Sequence, residues 1–251
     1  MDMELFFNNE NEKPLENIVS DGGMAAIFRT VGVVGDSMSS GEFESSGADG
    51  SRGYHDYFEY SWGQFFGRMC GSKVYNFSRG GMTAKEYWNG FADANRFWDP
   101  KYACDAYIIA LGVNDVCGLK QEIGNSDDCD SEEKDTMAWY YGNIIKRLKT
   151  IQPRAKFFLM TFPKGEIPDC GHRELLYGLA KKFDNTYVLD IAQHGPAFDD
   201  EFKKRFFMLG HMNPMGYLFF AKMTASYIDY IIRHNFDDFK EVGFTGTDLH
   251  S

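Results

Sequence analysis

The strongest constraint on the fold is a regular alternation between short apolar runs and longer segments with helical periodicity. Five runs are short and bounded by turn residues, as expected of buried strands: Ile27–Val34, Lys73–Phe77, Ala106–Leu111, Lys156–Thr161 and Thr186–Asp190. The segments between or after them have helical spacing of apolar residues: Tyr57–Met69, Ala84–Ala94, Met137–Ile151, Arg173–Phe183 and Met215–Arg233. This alternation predicts right-handed strand–helix–strand units, and therefore an α/β fold with a parallel sheet covered on both faces.

Size and charge narrow the class of protein further. A chain of 251 residues, 43% of them hydrophobic, is long enough to bury one large core. We expect a single domain over residues 1–251, with a core from about 27 to 233, a short N-terminal extension and a C-terminal tail. The formal net charge of −11 argues against nucleic acid or an anionic membrane as a partner. Oligomeric state is not readable from the sequence.

Targeting and metal-binding signals are weak in this sequence. No apolar stretch approaches the roughly 18 residues of a membrane span. The acidic N-terminus has no basic region followed by an apolar one, which favours a cytoplasmic protein. The cysteines are scattered without a Cys-x-x-Cys pair, and Cys170 with His172 supplies too few ligands for a metal. We therefore predict no metal site.

Four short motifs follow in order, three of them directly after a predicted strand and the last before the final predicted helix. They are Gly35-Asp36-Ser37-Met38, Asn76-Phe77-Ser78-Arg79-Gly80-Gly81-Met82-Thr83, Gly112-Val113-Asn114-Asp115 and His211-Met212-Asn213-Pro214-Met215-Gly216-Tyr217. In open α/β sheets, ligands bind outside the carboxyl ends of the strands. A serine at such an end is a nucleophile when a base reaches it. We expect Asp36 and Asp115 to be structural.

This order of motifs resembles the SGNH hydrolases, the GDSL-type esterase and lipase superfamily, from about Ile27 to Arg233. The resemblance implies a three-layer α/β/α sandwich whose five parallel strands follow the flavodoxin-like order 2-1-3-4-5. It also implies hydrolysis of a small-molecule or glycan ester through an acyl-enzyme, without a metal or an organic cofactor. Ser37 is then the nucleophile and His211 its general base. Backbone N–H groups of Ser37 and Gly81 and the amide of Asn114 form the oxyanion hole.

The sequence departs from the family pattern three residues before the histidine. The family usually has an aspartate there, and this chain has Met208, which cannot accept a hydrogen bond from the imidazole N–H. Three interpretations remain open. A Ser37–His211 dyad works with a backbone carbonyl near Met208, or another acid reaches the histidine, or catalysis is lost. The nearest acids in sequence are Asp190, Asp199 and Asp200.

Substrate and rival functions are less constrained by the sequence. The insertions Met38–His55 and Cys117–Asp135 read as irregular loops over the same sheet edge, either shaping substrate access or simply solvated. Several aromatic residues are candidates for stacking on sugars, although core packing is the simpler role: Tyr54, Tyr57, Trp62, Trp88 and Trp98. A carbohydrate O-acetylesterase or a short-chain esterase or lipase is the leading hypothesis, and an inactive ligand-binding relative is the alternative. A flavin or nucleotide binder is disfavoured because the phosphate-binding glycine motifs are missing after the first strand.

Overall fold

A five-stranded parallel sheet organises the protein, whose computed structural model describes residues 11–165, 167 and 170–242. The strands are β1 (Thr30–Gly35), β2 (Glu42–Ser46), β3 (Arg52–Asp56), β4 (Lys73–Ser78), β5 (Ala106–Ala110), β6 (Lys156–Met160), β7 (Thr186–Leu189), β8 (Phe207–Met208) and β9 (His211–Met212). The central sheet has the order β4-β1-β5-β6-β7. Counting only its own strands, this is 2-1-3-4-5, so the predicted flavodoxin-like order is confirmed.

Helices lie on both faces of this sheet. They are α1 (Ser37–Ser40), α2 (Trp62–Cys70), α3 (Ala84–Glu86), α4 (Ala92–Ala94), α5 (Val113–Cys117), α6 (Met137–Ile151), α7 (His172–Lys182), α8 (Ile191–His194), α9 (Asp200–Phe206) and α10 (Pro214–His234). Short 3-10 turns cover Gly23–Ile27, Phe58–Tyr60, Pro100–Tyr102, Ser126–Asp130 and Phe236–Phe239, and a π turn covers Tyr87–Phe91.

Each strand of the sheet supplies side chains to two separate cores, because successive residues of a strand point to opposite faces. In β5, Ile108 packs with α2 and α10, whereas Tyr107 and Ile109 pack with α6 and α7. All three side chains are at most 1% exposed. The near-continuous apolar runs that predicted buried strands therefore reflect burial on both faces, and the predicted three-layer sandwich is confirmed.

The predicted helices differ from the structure at two segments. In the predicted helix Tyr57–Met69, a separate 3-10 turn covers Phe58–Tyr60 and the α-helix begins only at Trp62. Met137–Ile151 matches α6 residue for residue, and the last helix begins one residue earlier and ends one residue later than predicted. The segment 84–94, predicted as one helix, is instead broken into α3, a π turn and α4. In the C-terminal tail, Phe239 is buried against Phe28, while Phe244 lies outside the described residues.

The first insertion is not an irregular loop. Residues 42–56 form an antiparallel hairpin, hereafter the β2–β3 hairpin, in which Glu42 pairs with Asp56 and Ser46 with Arg52. The alternation of Glu42, Phe43 and Glu44 explains this, because period 2 places both glutamates on one face and the phenylalanine on the other. Phe43 is 9% exposed and packs against Tyr217 of α10. Within the part of the chain that the structure describes, no helix is long and apolar enough to cross a membrane.

Candidate active site

Ser37 stands at the first position of α1, directly after β1. Its strand lies between β4 and β5, which is where the chain's direction of winding reverses and where ligands bind in such sheets. Asp36 precedes it as the N-cap and accepts a hydrogen bond from the Met38 backbone N–H at 3.1 Å. Asp36 therefore shapes the turn, as predicted, and Ser37 is left half-buried at the carboxyl edge of the sheet.

The loop after β4 brings two glycines to the same edge. Gly81 is exposed and has φ +71°, a backbone conformation that favours glycine. There is space for a side chain, because a Cβ built there meets nothing within 4 Å. The backbone conformation, and not crowding, accounts for glycine at this position. Gly80 differs, because a Cβ there would collide with the carboxylate of Glu42. The β2–β3 hairpin thus reaches across to the loop that carries Gly81.

Asn114 ties the end of β5 to this loop. Its side-chain Nδ2 donates to the Met82 carbonyl at 3.1 Å, which uses one of its two N–H groups and leaves one for a ligand. The neighbouring Asp115 is buried and accepts the Ala84 backbone N–H with both carboxylate oxygens at 3.0 Å. Burial raises the pKa of Asp115 to about 6, against the opposing effect of these backbone hydrogen bonds. Asp115 is structural, as predicted.

His211 lies before the last helix and not at its first residue. It belongs to β9, which pairs with β8 so that Met208 is opposite His211. The helix α10 begins at Pro214, where Asn213 caps it by accepting the Gly216 N–H at 2.9 Å. The motif that predicted the base therefore combines a short hairpin with a capped helix start, and it holds the imidazole outside the helix.

Two glutamates of the β2–β3 hairpin flank the His211 ring. Nδ1 lies 2.7 Å from Glu44 Oε1 in a hydrogen bond, and Nε2 lies 3.2 Å from Glu42 Oε1. The side chains of His211, Glu42 and Glu44 are 16%, 12% and 3% exposed. Burial raises the pKa of Glu42; the charge of His211 opposes this, and the nearby Asp56 and Glu44 add to it. A carboxyl group is therefore held against each ring nitrogen.

The structure brings Ser37 and His211 to one edge without bonding them to each other. Helix α1 packs against both β2 and β9, which places the serine turn beside the histidine strand. Among the described hydrogen bonds, none joins Ser37 to His211. The ring nitrogen that would accept the serine proton faces Glu42 instead.

The three aspartates considered as a third catalytic residue lie in other surroundings. Asp190 is fully buried, is bonded by Arg173 at 2.7 Å and Tyr177 at 2.8 Å, and caps α8. Asp199 caps α9 through the Phe202 N–H at 2.9 Å, and Asp200 is exposed in the first turn of that helix. None of the three is among the described contacts of His211.

Sequence reasoning missed Glu42 and Glu44 because they lie in an insertion that reads as polar and glycine-rich. The available signal was the alternation Glu-Phe-Glu before a Gly-Ala-Asp-Gly turn, which is typical of a half-buried hairpin. Within residues 11–165, 167 and 170–242, no cluster of three or more His, Cys, Asp or Glu side chains is arranged to hold a metal ion.

Only some of the predicted aromatic candidates are available to a ligand. Tyr54 and Tyr57 are 57% and 53% exposed, and the Tyr54 ring lies edge-on to His211 with centroids 6.4 Å apart. Trp62 is 1% exposed in the core, so the idea that it stacks on a sugar is wrong. Trp88 and Trp98 are half-buried against each other, with ring centroids 6.2 Å apart.

One family model matches most of this chain. Residues 33–218 match the GDSL-like lipase/acylhydrolase family. Among solved structures, a family two carbohydrate esterase from Clostridium thermocellum in complex with cellohexaose is similar at 15% identity with a TM-score of 0.59, covering 90% of this chain and 66% of that one. A family 3 carbohydrate esterase from the same organism is similar at 16% identity with a TM-score of 0.54, covering 82% and 98%.

A lipolytic protein of the G-D-S-L family from Desulfitobacterium hafniense is also similar, at 16% identity with a TM-score of 0.54, covering 79% of this chain and 99% of that one. At these low sequence identities, the similarity to the solved structures shows only that the fold is shared. A comparison with curated protein sequences found no significant match.

Proposed function

Because this chain belongs to the GDSL-like lipase/acylhydrolase family and is a hydrolase acting on ester bonds, we propose that it works as a serine esterase through an acyl-enzyme. The observation that carries the proposal is the meeting of Ser37, the Gly81 loop and Asn114 at the ends of three adjacent strands, beside a histidine held by a carboxylate. A nucleophile, a base and oxyanion donors at one sheet edge are the parts that acyl transfer needs.

The proposed reaction runs in two halves. Ser37 Oγ attacks the ester carbonyl carbon while His211 Nε2 takes the hydroxyl proton. When the tetrahedral intermediate collapses, the bond to the leaving oxygen breaks and His211 returns the proton to the departing alcohol. Water then attacks the acyl-enzyme in the same way, and the carboxylic acid leaves with Ser37 restored. For the first step, Ser37 Oγ must replace Glu42 as the neighbour of Nε2.

In the proposed mechanism, three N–H groups stabilise the developing oxyanion. The Ser37 and Gly81 backbone N–H groups and the second N–H of Asn114 are the three donors. The Met82 and Asp115 hydrogen bonds support this arrangement, because they hold Asn114 and the loop after β4 in one orientation before substrate binds. Preorganised donors of this kind are usually the largest single contribution to such catalysis.

We propose neutral carbohydrate esters with a short acyl group, such as O-acetyl, as the substrate class. Three carboxyl groups, of Glu42, Glu44 and Asp56, crowd the site and disfavour an anionic substrate such as a phospholipid. The exposed ring of Tyr54 offers an apolar surface next to the histidine. Two of the similar structures are carbohydrate esterases, one of them in complex with cellohexaose, which supports this choice.

The first test is hydrolysis of p-nitrophenyl acetate by the wild type and by Ser37→Ala and His211→Ala. We expect turnover by the wild type and a loss of about 10³-fold or more in each variant. Release of acetate from acetylated neutral oligosaccharides, compared with hydrolysis of an anionic lysophospholipid, then tests the substrate class. Equal rates for wild type and Ser37→Ala would contradict the serine mechanism.

A ligand-binding relative without turnover is the second candidate, and one observation favours it. Glu42 lies against the ring nitrogen that the serine must reach, so the arrangement described is not yet the reactive one. A serine-directed phosphonate separates the two functions, because labelling at Ser37 requires an activated hydroxyl. Labelling of the wild type supports the esterase, and its failure together with tight ligand binding supports the binding protein.

A further inference from the structure

The carboxylate that hydrogen-bonds His211 comes from an unexpected part of the chain. The position three residues before the histidine, where the family carries an aspartate, is occupied here by Met208, which is 43% exposed. The imidazole Nδ1 instead faces Glu44, which lies 167 residues earlier, with Nδ1 and Oε1 2.7 Å apart. Nδ1 of His211 therefore has a carboxylate partner even though position 208 is a methionine.

We propose that Glu44 is the positioning residue of the catalytic histidine, a role that rests on the serine esterase function proposed above. Its carboxylate accepts the Nδ1–H, which leaves Nε2 as the nitrogen that exchanges a proton with Ser37. It also stabilises the imidazolium that forms when the proton is taken up. No covalent bond forms or breaks at Glu44, and the proton passes only between Ser37, His211 and the leaving alcohol.

The surroundings of Glu44 hold its carboxylate in place. Its side chain is 3% exposed, and its second oxygen accepts from Arg52 Nη1 at 2.8 Å, so both oxygens are engaged. Gly210, the residue before the histidine, has no Cβ, and a Cβ there would collide with Glu44 Oε1. The glycine thus makes room for the hydrogen bond between the hairpin and the histidine.

The hairpin that carries Glu44 is itself anchored to the helix that follows His211. Tyr217 is fully buried, packs on Phe43 with ring centroids 5.4 Å apart, and donates its hydroxyl hydrogen to the Glu42 carbonyl at 2.7 Å. The histidine and its carboxylate are therefore fixed to one support, as a positioning residue requires. This also assigns a task to the tyrosine of the last motif.

The experiment compares Glu44→Gln, Glu44→Asp and the double variant Glu44→Gln with Met208→Asp, using p-nitrophenyl acetate as the probe. Glu201→Gln is the matched control, since Glu201 is 65% exposed and forms a surface ion pair with Arg205. We expect Glu44→Gln to lower kcat by about 10³–10⁴-fold with little change in KM. Glu44→Asp and the double variant should each recover part of kcat, because both restore a carboxylate.

The pH profile separates positioning from a merely structural role. Three other charged groups lie near the imidazole. Glu42 faces Nε2, Asp56 lies near Glu42, and Arg52 pairs with Glu44. The Glu44→Gln substitution leaves all three side chains in the protein. Removing the Glu44 carboxylate makes the imidazolium less stable, so the acid limb of kcat/KM should move to lower pH. A loss of fold would instead lower the amount of active enzyme without moving that limb.

The outcomes distinguish this inference from the proposed function. If wild type is active, Ser37→Ala is inactive and folded Glu44→Gln keeps kcat within about tenfold of wild type, the role of Glu44 is refuted and the esterase stands. If Glu44→Gln does not fold, ¹⁵N-histidine NMR of the wild type decides. Neutral His211 protonated on Nδ1 supports the inference, and protonation on Nε2 overturns it. Failure of Ser37 to react refutes the esterase itself.

Discussion

Acidification should destabilise this protein through one histidine outside the proposed catalytic group. His172 begins α7, is 3% exposed, and stacks on Phe162 with ring centroids 3.7 Å apart. Its Nε2 is buried without a hydrogen-bond partner among the described residues. A Cβ on Gly112, which precedes the Asn114 segment, would lie 3.2 Å from that nitrogen. Protonating His172 would place an unpaired charge beneath the oxyanion side of the site.

The magnitude follows from proton linkage. Burial lowers the pKa of His172 from 6.5 to about 3, while a hydrogen bond with the Leu111 backbone opposes the shift. The pKa of His172 is lower in the folded state than in the unfolded state. Below pH 6.5, His172 is therefore protonated in the unfolded chain but stays neutral in the folded protein. Stability is therefore lost as pH falls from 6.5 towards 3. At about pH 5 the loss amounts to roughly 2 kcal/mol in the free energy of unfolding.

The assay is urea unfolding at pH 7 and pH 5 of the wild type and of two variants that do not titrate at this position. His172→Asn keeps a side-chain donor near the Leu111 backbone, and His172→Phe keeps the stacking on Phe162. Both are expected to lose about 2 kcal/mol less than the wild type between the two pH values, whatever their stability at pH 7. Asp115, whose raised pKa acts in the opposite direction, is present in all three proteins and cancels.

One result would refute this reasoning. If wild type and both variants lose equal stability between pH 7 and pH 5, His172 does not resist protonation in the folded state. The protonated ring would then be stabilised by some other group in the folded protein, and the unpaired Nε2 would not reduce stability at low pH.

Two further predictions concern the proposed catalytic group. Asn114→Ala removes the proposed oxyanion donor and its bond to Met82, so kcat for p-nitrophenyl acetate should fall by about 10²–10³-fold, and an unchanged kcat would exclude Asn114 from the oxyanion hole. Glu42→Gln removes a carboxyl group 3.2 Å from His211 Nε2. The imidazolium then loses a stabilising neighbour, so the acid limb of kcat/KM should move to lower pH, and an unmoved limb would show that Glu42 does not influence the base.

Much of the fold was predictable because its signals are local. The three central strands β1, β5 and β6 are buried on both faces along almost their whole length, so each reads as an apolar run. The long helices α6 and α10 carry regular apolar spacing. The segment 84–94 was predicted wrongly as one helix. Apolar spacing there is helical, but the backbone passes through a π turn at Tyr87–Phe91, which periodicity does not detect.

The sequence by itself determined which motif residues lie at the carboxyl edge of the sheet, because strand ends and motifs are adjacent along the chain. It placed Ser37, Gly81, Asn114 and His211 as candidates, but it offered Asp190, Asp199 and Asp200 as acids. Only the tertiary structure decided that Glu44 faces His211. Their contact spans 167 residues and depends on how a hairpin folds back over the last helix. The local sequence pattern does not predict this contact, because the packing of Phe43 on Tyr217 is what brings Glu44 to His211.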